Sequence, residues 1–241
     1  MNTRTHIHGT ACIVYDADRI SHAGMNLFDP EYWEKQGAVV GEAPGRGRAL
    51  FLETDFAAAV LRQYLRGGWA SRVSRHHYVF TGYERSRPVM EYRMLERLHG
   101  ADLPVPEPLA ALCRREGRLY SGWLMTRRIP HAATLADVIG GRRDTEVLWT
   151  DTGVAIRRFH DYGVIHADLN ARNILVDETG GIHLIDFDRA RVRSGDARAF
   201  GSNLDRLHRS LEKVWPKAFK GQLLPAWRKL LEGYGPSAKS S

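Results

Sequence analysis

His166, Asp168, Asn173 and Asp186 stand in that order within residues 164–190, VIHADLNARNILVDETGGIHLIDFDRA. A loop carboxylate such as Asp168 can accept the proton of a hydroxyl that is becoming a phosphate ester. Asn173 and Asp186 offer hard oxygens of the kind magnesium takes. His166 belongs to the same catalytic loop, as a brace for it rather than a reacting group. Asn173 to Val176 and Ile182 to Ile185 read as two strands joined by the turn Asp177-Glu178-Thr179-Gly180-Gly181. Each tripeptide recurs by chance. Loop, strand, turn, strand and acid in this order do not, and together they are the layout of phosphoryl transfer of the protein-kinase type.

Such a site needs elements that hold the nucleotide. Residues 38–66 read as three strands: Ala38 to Val40, Ala49 to Glu53 and Ala57 to Tyr64. The loop 42–48 lies between the first two, and Gly45 and Gly47 would let its backbone N–H groups fold over phosphates. Most such hairpins are only turns, so the loop has meaning only beside the downstream residues. Arg62, in Ala59-Val60-Leu61-Arg62, stands where a kinase has lysine. The lysines are Lys35, Lys213, Lys217, Lys220, Lys229 and Lys239. None lies near that strand, so the position falls to Arg62, which keeps the charge and adds a forked set of donors. The alternative is an exposed strand residue. A helix from Arg87-Pro88 to about His99 puts Glu91, Leu95 and Leu98 on one face. A carboxylate on an apolar face needs a cation, and Arg62 is the candidate. The alternative is a glutamate favoured by the helix dipole.

Elsewhere, Cys12 to Tyr15 suggests an early strand, and Asp29-Pro30 opens a helix. Leu103 to Pro108 is a stiff linker. Ala110 to Arg114 and Leu119 to Thr126 form a hairpin. Thr134 opens a short helix, and a longer one runs from Thr145 to Tyr162 with Val147, Leu148, Val154, Ile156 and Phe159 on its apolar side. Two amphipathic helices follow, striped by Leu204, Leu207, Leu211 and Val214, and by Leu223, Trp227, Leu230, Leu231 and Tyr234. Their lysines and tryptophans also suit a membrane surface. The expected fold is α+β and protein-kinase-like, in two lobes. A β-rich N-lobe spans 1–126, a hinge 127–133, and a small, reduced, mostly helical C-lobe 134–241 with the catalytic loop 166–173 and the metal-binding 186–188. Residues 189–241 lack A-P-E and leave no room for a full peptide-binding lobe, which points to a small or lipid-linked acceptor.

Net charge +7 and a pI of about 9.6 favour anionic partners, although an arginine-rich coding bias explains them equally. No apolar run reaches membrane-span length, and MNTRTHIHGT lacks a signal-peptide core. Cys12 and Cys113 make no disulfide framework, which suits a reducing compartment. Arg172, Arg189 and Arg191 flank the proposed site and could bind carboxylate or phosphate groups of an acceptor. A solvated basic loop is the alternative for each. A pseudokinase or a basic nucleic-acid binder is the non-enzyme reading. The intact set of His166, Asp168, Asn173 and Asp186 argues against the first. No nucleic-acid motif occurs, so no such partner is expected.

From Gly45 to Trp227 the chain resembles the lipopolysaccharide kinase family, most closely the 3-deoxy-D-manno-octulosonic acid (Kdo) kinases. HADLNARNILVD and IHLIDFDRARVR mark the wider kinase superfamily. AVLRQYLRGG, YVFTGYERSRPVMEYRMLERL, LPVPEPLAA and RRIPHAATLADVI are closer to this family. The resemblance implies ATP- and Mg2+-dependent phosphorylation of the 4-hydroxyl of Kdo on a lipid A precursor. It implies a peripheral enzyme on the cytoplasmic face of a Gram-negative inner membrane. By position it makes Asp168 the base, Asn173 and Asp186 the metal ligands, and Arg62 with Glu91 the ion pair. Asp188 stands where most protein kinases have glycine, and Arg172 where close relatives are expected to have histidine. Heptose kinases and aminoglycoside-type phosphotransferases are the nearest alternatives.

Overall fold

A computed structural model describes residues 1–43, 49–64 and 78–235. The chain divides into two compact units, Met1–Arg97 with Pro106–Arg128, and Leu98–Val105 with Ile129–Ser241.

The first unit is built on an eight-stranded antiparallel sheet. Its strands are β1 (Thr3–His8), β2 (Ala11–Asp16), β3 (Val39–Ala43), β4 (Ala49–Glu53), β5 (Ala58–Gln63), β6 (Tyr78–Val79), β7 (Pro108–Glu116) and β8 (Leu119–Arg127). They run in the order β1-β2-β7-β8-β5-β4-β3, and β6 pairs with β8. Among the described residues, the unit also carries two α-helices: α1 (Pro30–Lys35), capped by the Asp29 side chain, and α2 (Arg87–His99). Period-two alternation sends Ala59 and Leu61 of β5 into a core with Leu27, Trp33, Leu50, Leu52, Leu112 and Met125. The same alternation puts Arg62 and Tyr64 on the opposite face, where both meet Glu91 of α2. Strand β1, TRTHIH, is polar and almost wholly exposed at the sheet edge, so it carries no alternation signal and sequence patterning missed it.

The second unit is mostly helical. It contains β9 (Ala133–Thr134), α3 (Leu135–Gly140), α4 (Glu146–Asp161), β10 (Val164–Ile165), β11 (Ile174–Val176), β12 (Ile182–Leu184), β13 (Arg191–Val192), α5 (Ala197–Val214) and α6 (Leu223–Tyr234). Strands β12, β11 and β9 form one small sheet, and β10 pairs with β13. The segment 98–105 is tied in by hydrogen bonds from Leu184 N to Pro104 O and from Arg158 Nη2 to Asp102 O. Thr145 caps α4, and Gly163, at φ 92°, turns the chain just beyond it.

The apolar side of α4 differs from the expected one. Leu148, Ile156 and Phe159 are buried, but Val147 and Val154 are 68% and 45% exposed. The buried face instead carries Trp149, Thr152, Gly153, Ala155 and His160. The reason is a close crossing with α6. A Cβ on Gly153 would lie 2.0 Å from Leu230 O, and one on Gly233 would lie 2.0 Å from Thr150 O. Glycine at both positions lets the backbones touch, which turns Val147 and Val154 outward. On α5 the buried stripe is Asn203, Leu207 and Leu211; on α6 it is Ala226, Leu230 and Tyr234, while Leu231 is 40% exposed.

This crossing makes a stability prediction. Gly233→Ala should cost roughly 2–3 kcal/mol through overpacking. Gly201→Ala, in α5 with open space around its Cβ position, should stabilise by about 0.5–1 kcal/mol. Denaturant unfolding of both variants checks this, and equal effects would refute the backbone contact.

Candidate functional site

The second unit carries the loop 166–173. Within residues 166–173 burial alternates. His166, Leu169 and Ala171 point inward, while Asp168 and Arg172 are exposed. Leu169 and Ala171 thus anchor a loop that leaves the Asp168 carboxylate in solvent.

Three side chains of α5, one turn apart, meet that loop. Asn203 Oδ1 accepts from His166 N at 2.9 Å, and Asn203 Nδ2 donates to His166 O at 2.8 Å. Arg206 Nη1 lies 3.5 Å from Asp168 Oδ1. Ser210 Oγ accepts from Ala171 N at 3.1 Å. On the other side, Ala136 N of α3 donates to Ala171 O at 3.0 Å. Asn203, Arg206 and Ser210 were not singled out from sequence. Asn203 carried a readable signal, an amide in line with Leu207 and Leu211; Arg206 and Ser210 carried none.

His166 is a brace. Its Nδ1 accepts the Asp168 N–H at 3.1 Å, which puts the ring proton on Nε2, and Nε2 donates to Ile185 O at 3.0 Å. The ring therefore links the residue carrying the proposed base to the residue before Asp186. Phe187 is buried 5.1 Å from the His166 ring and 5.9 Å from Phe159. Burial holds the His166 pKa below its usual value.

The β11–β12 ladder brings the two proposed metal ligands together. Ile174 pairs with Leu184, and Ile185 N donates to Asn173 O at 3.0 Å. Asn173 Nδ2 donates to Asp168 O at 2.9 Å, leaving Oδ1 as its acceptor atom. Asp186 adopts φ 65°, a left-handed conformation that aspartate tolerates better than most residues. Among the described residues, no group of three or more His, Cys, Asp and Glu could hold a metal. One amide and one carboxylate fit magnesium, which keeps several waters and binds through one or two carboxylates plus substrate phosphates.

In the first unit, Arg62 Nη2 lies 2.7 Å from both carboxylate oxygens of Glu91. The Tyr64 hydroxyl also donates to Glu91, and the Arg62 guanidinium stands over the Tyr64 ring at 4.9 Å. Glu91 is 3% exposed. A buried carboxylate stripped of its partner would cost about 3–5 kcal/mol. Gly45 and Gly47 lie outside the described residues. Arg172, Arg189 and Arg191 are exposed. Arg191 pairs by backbone with Ile165, next to His166, and Arg189 has φ 62°.

Residues 30–234 match the lipopolysaccharide kinase (Kdo/WaaP) family. The chain belongs to this family. The matched span includes every described candidate residue named above. A "3-deoxy-D-manno-octulosonic acid kinase" of Stenotrophomonas maltophilia (strain R551-3) is 43% identical over 208 residues, covering 86% of this chain and 82% of the relative. One with the same name from Xanthomonas campestris pv. campestris (strain B100) is 45% identical with the same coverage. Among the described residues, no helix is long and apolar enough to cross a membrane.

Helices α4, α5 and α6 meet at His160, which predicts the family member's behaviour in acid. His160 contacts the Tyr234 hydroxyl at 2.8 Å and stacks on Phe200 at 4.5 Å. Burial lowers its pKa from 6.5 to about 4. The unfolded chain binds this proton first, so stability is full above about pH 6.5 and falls as pH drops toward 4. The loss should reach on the order of 3 kcal/mol, with His166 adding in the same direction. Chemical unfolding from pH 7.5 to 4.5 should show the decline, and His160→Gln should flatten it. Parallel curves for the two proteins would exclude His160 as its source.

Proposed function

We propose that this protein is an ATP-dependent Kdo kinase, phosphorylating the 4-hydroxyl of a Kdo residue on a lipid A precursor (Kdo-lipid IVA) in lipopolysaccharide core biosynthesis. The observation that carries this is identity of 43–45% to Kdo kinases over 86% of the chain, in a chain whose loop leaves Asp168 exposed beside Asn173 and Asp186. The acceptor hydroxyl hydrogen-bonds Asp168 and passes its proton there as the oxygen–phosphorus bond forms and the bond to ADP breaks. His166 keeps the Asp168 backbone fixed. Asn173 Oδ1 and the Asp186 carboxylate would hold magnesium, which supplies positive charge for the phosphates. Arg62, held by Glu91, adds positive charge for the nucleotide. Gly45 and Gly47, outside the described residues, are assigned to the nucleotide phosphates, and Arg172, Arg189 and Arg191 to the phosphate groups of the lipid acceptor.

The β-rich first unit and helical second unit support reading 1–126 and 134–241 as the two lobes of a protein-kinase-like fold, joined by 127–133, except that Leu98–Val105 packs with the second unit. A peripheral site on the inner membrane is supported by the C-terminal elements. Phe219, Leu224 and Leu231 are 38%, 55% and 40% exposed there, among Lys217, Lys220 and Arg228.

Incubation with ATP, magnesium and Kdo-lipid IVA should add one phosphate, whose attachment at O4 is read by mass spectrometry and NMR. Asp168→Ala should lower kcat by roughly a hundredfold or more while nucleotide still binds. A near-normal rate removes Asp168 from the mechanism, and transfer only to an aminoglycoside or a protein removes Kdo.

Association with the membrane is checked separately. The protein should co-sediment with anionic-lipid vesicles at low salt, and a Lys217→Glu, Lys220→Glu, Arg228→Glu variant should stay in the supernatant. If the wild-type protein stays there too, the membrane assignment fails.

A further inference from the structure

We infer that Arg206 recognises the carboxylate of the acceptor sugar and so selects an acidic sugar over a neutral one. This deepens the Kdo-kinase reading and rests on it. Sequence patterning pointed to Arg172, Arg189 and Arg191, which lie on the catalytic loop and after Asp186. The structure points to α5. There Arg206 reaches the proposed base, with Nη1 3.5 Å from Asp168 Oδ1.

The two oxygens of Asp168 have different neighbours. Asn170 Nδ2 donates to Oδ2 at 3.1 Å and to the Asp168 carbonyl at 3.0 Å, which fixes the carboxylate plane. Oδ1 faces Arg206 at the outer limit of a hydrogen bond. Oδ1 is therefore the oxygen with room for an incoming hydroxyl, and the guanidinium stands beside it. A guanidinium carries five N–H donors, and Asp168 engages one of them. Arg206 is 49% exposed and Asp168 59% exposed, so solvent-borne groups reach both. An ion pair so exposed and long contributes little to stability, which leaves stability a poor account of Arg206.

The sugar supplies a matching group. An octulosonic acid carries its carboxylate on the carbon two atoms from the one bearing the 4-hydroxyl. With that hydroxyl on Asp168, the carboxylate falls on the same side chain's immediate surroundings. A planar, two-pronged cation suits a carboxylate there better than an ammonium. The position is also rigid, since Asn203 and Ser210 bind α5 to the loop one turn to either side.

The test compares two acceptors and three proteins. Wild type, Arg206→Gln and Arg206→Lys are assayed with Kdo-lipid IVA and with the same lipid carrying its Kdo carboxylate as a methyl ester. Loss of one charged hydrogen bond corresponds to a drop of roughly tenfold to a hundredfold in kcat/KM. Wild type should lose that much on esterification, expressed mainly in the acceptor's KM. Arg206→Gln should lose it already on the free acid and change less than about twofold further on the ester. Arg206→Lys should recover part of the loss on the acid alone. If esterification costs Arg206→Gln as much as wild type, Arg206 acts only on Asp168 and the inference is wrong. Wild type that phosphorylates neither lipid would instead overturn the Kdo-kinase reading, an outcome distinct from the first.

Discussion

The two hydrogen bonds between the Asn203 amide and the His166 main chain are what the loop 166–173 depends on. A loop that presents Asp168 to solvent is anchored inward by Leu169 and Ala171, and its backbone groups still need partners once buried. Asn203 satisfies a donor and an acceptor of the same residue at once, in the way a neighbouring strand would. Each group left unpaired would cost about 1–3 kcal/mol. With the main chain at 166 pinned, the imidazole is free to turn inward. There it serves Asp168 N on one nitrogen and Ile185 O on the other. One clamp therefore fixes the loop with the proposed base and the strand end with Asp186.

Arg62 and Glu91 solve the corresponding problem in the first unit by charge instead of by amide geometry. Glu91 sits on the apolar face of α2 with Leu95 and Leu98, and all three are almost completely buried. Such a carboxylate persists only with a cation and further donors. Arg62 and Tyr64 supply them because residues two apart on a strand share a face. Arginine in this place, where lysine is usual in kinases, binds both carboxylate oxygens and stacks on Tyr64 with the same guanidinium. A lysine ammonium has no planar face for that stacking.

These two cases show what sequence made readable. Glu91 was readable because its spacing from Leu95 and Leu98 declared a buried face, and the lack of a nearby lysine left Arg62 as partner. The β11–β12 hairpin was readable because short apolar runs flank a glycine turn, and its strands fall within a residue of the expected bounds. The outward turn of Val147 and Val154 was hidden, since it follows from Gly153 meeting α6 far along the chain. Strand β1 was hidden because an exposed edge strand needs no apolar pattern. Arg206 and Ser210 were hidden for a related reason. Polar residues on an amphipathic helix look solvated until a loop remote in sequence comes to lie against them.

Placing these contacts on one face of α5 has a mechanical consequence. Asn203, Arg206 and Ser210 address residues 166, 168 and 171, so α5 cannot shift or rotate without disturbing all three. The helix is itself held through Phe200, stacked on His160, which contacts Tyr234 of α6. The ring of α4, the stripe of α5 and the end of α6 thus form a rigid backing for the loop. Precise placement of a base needs such a backing, because small errors in the distance to a hydroxyl are costly in rate. A flexible arginine on a surface loop could supply charge to an acceptor, but not a fixed direction. An arginine on α5 supplies both, and it does so relative to Asp168 itself. In the proposed mechanism, acceptor recognition by Arg206 and proton transfer to Asp168 share one helix as their frame of reference.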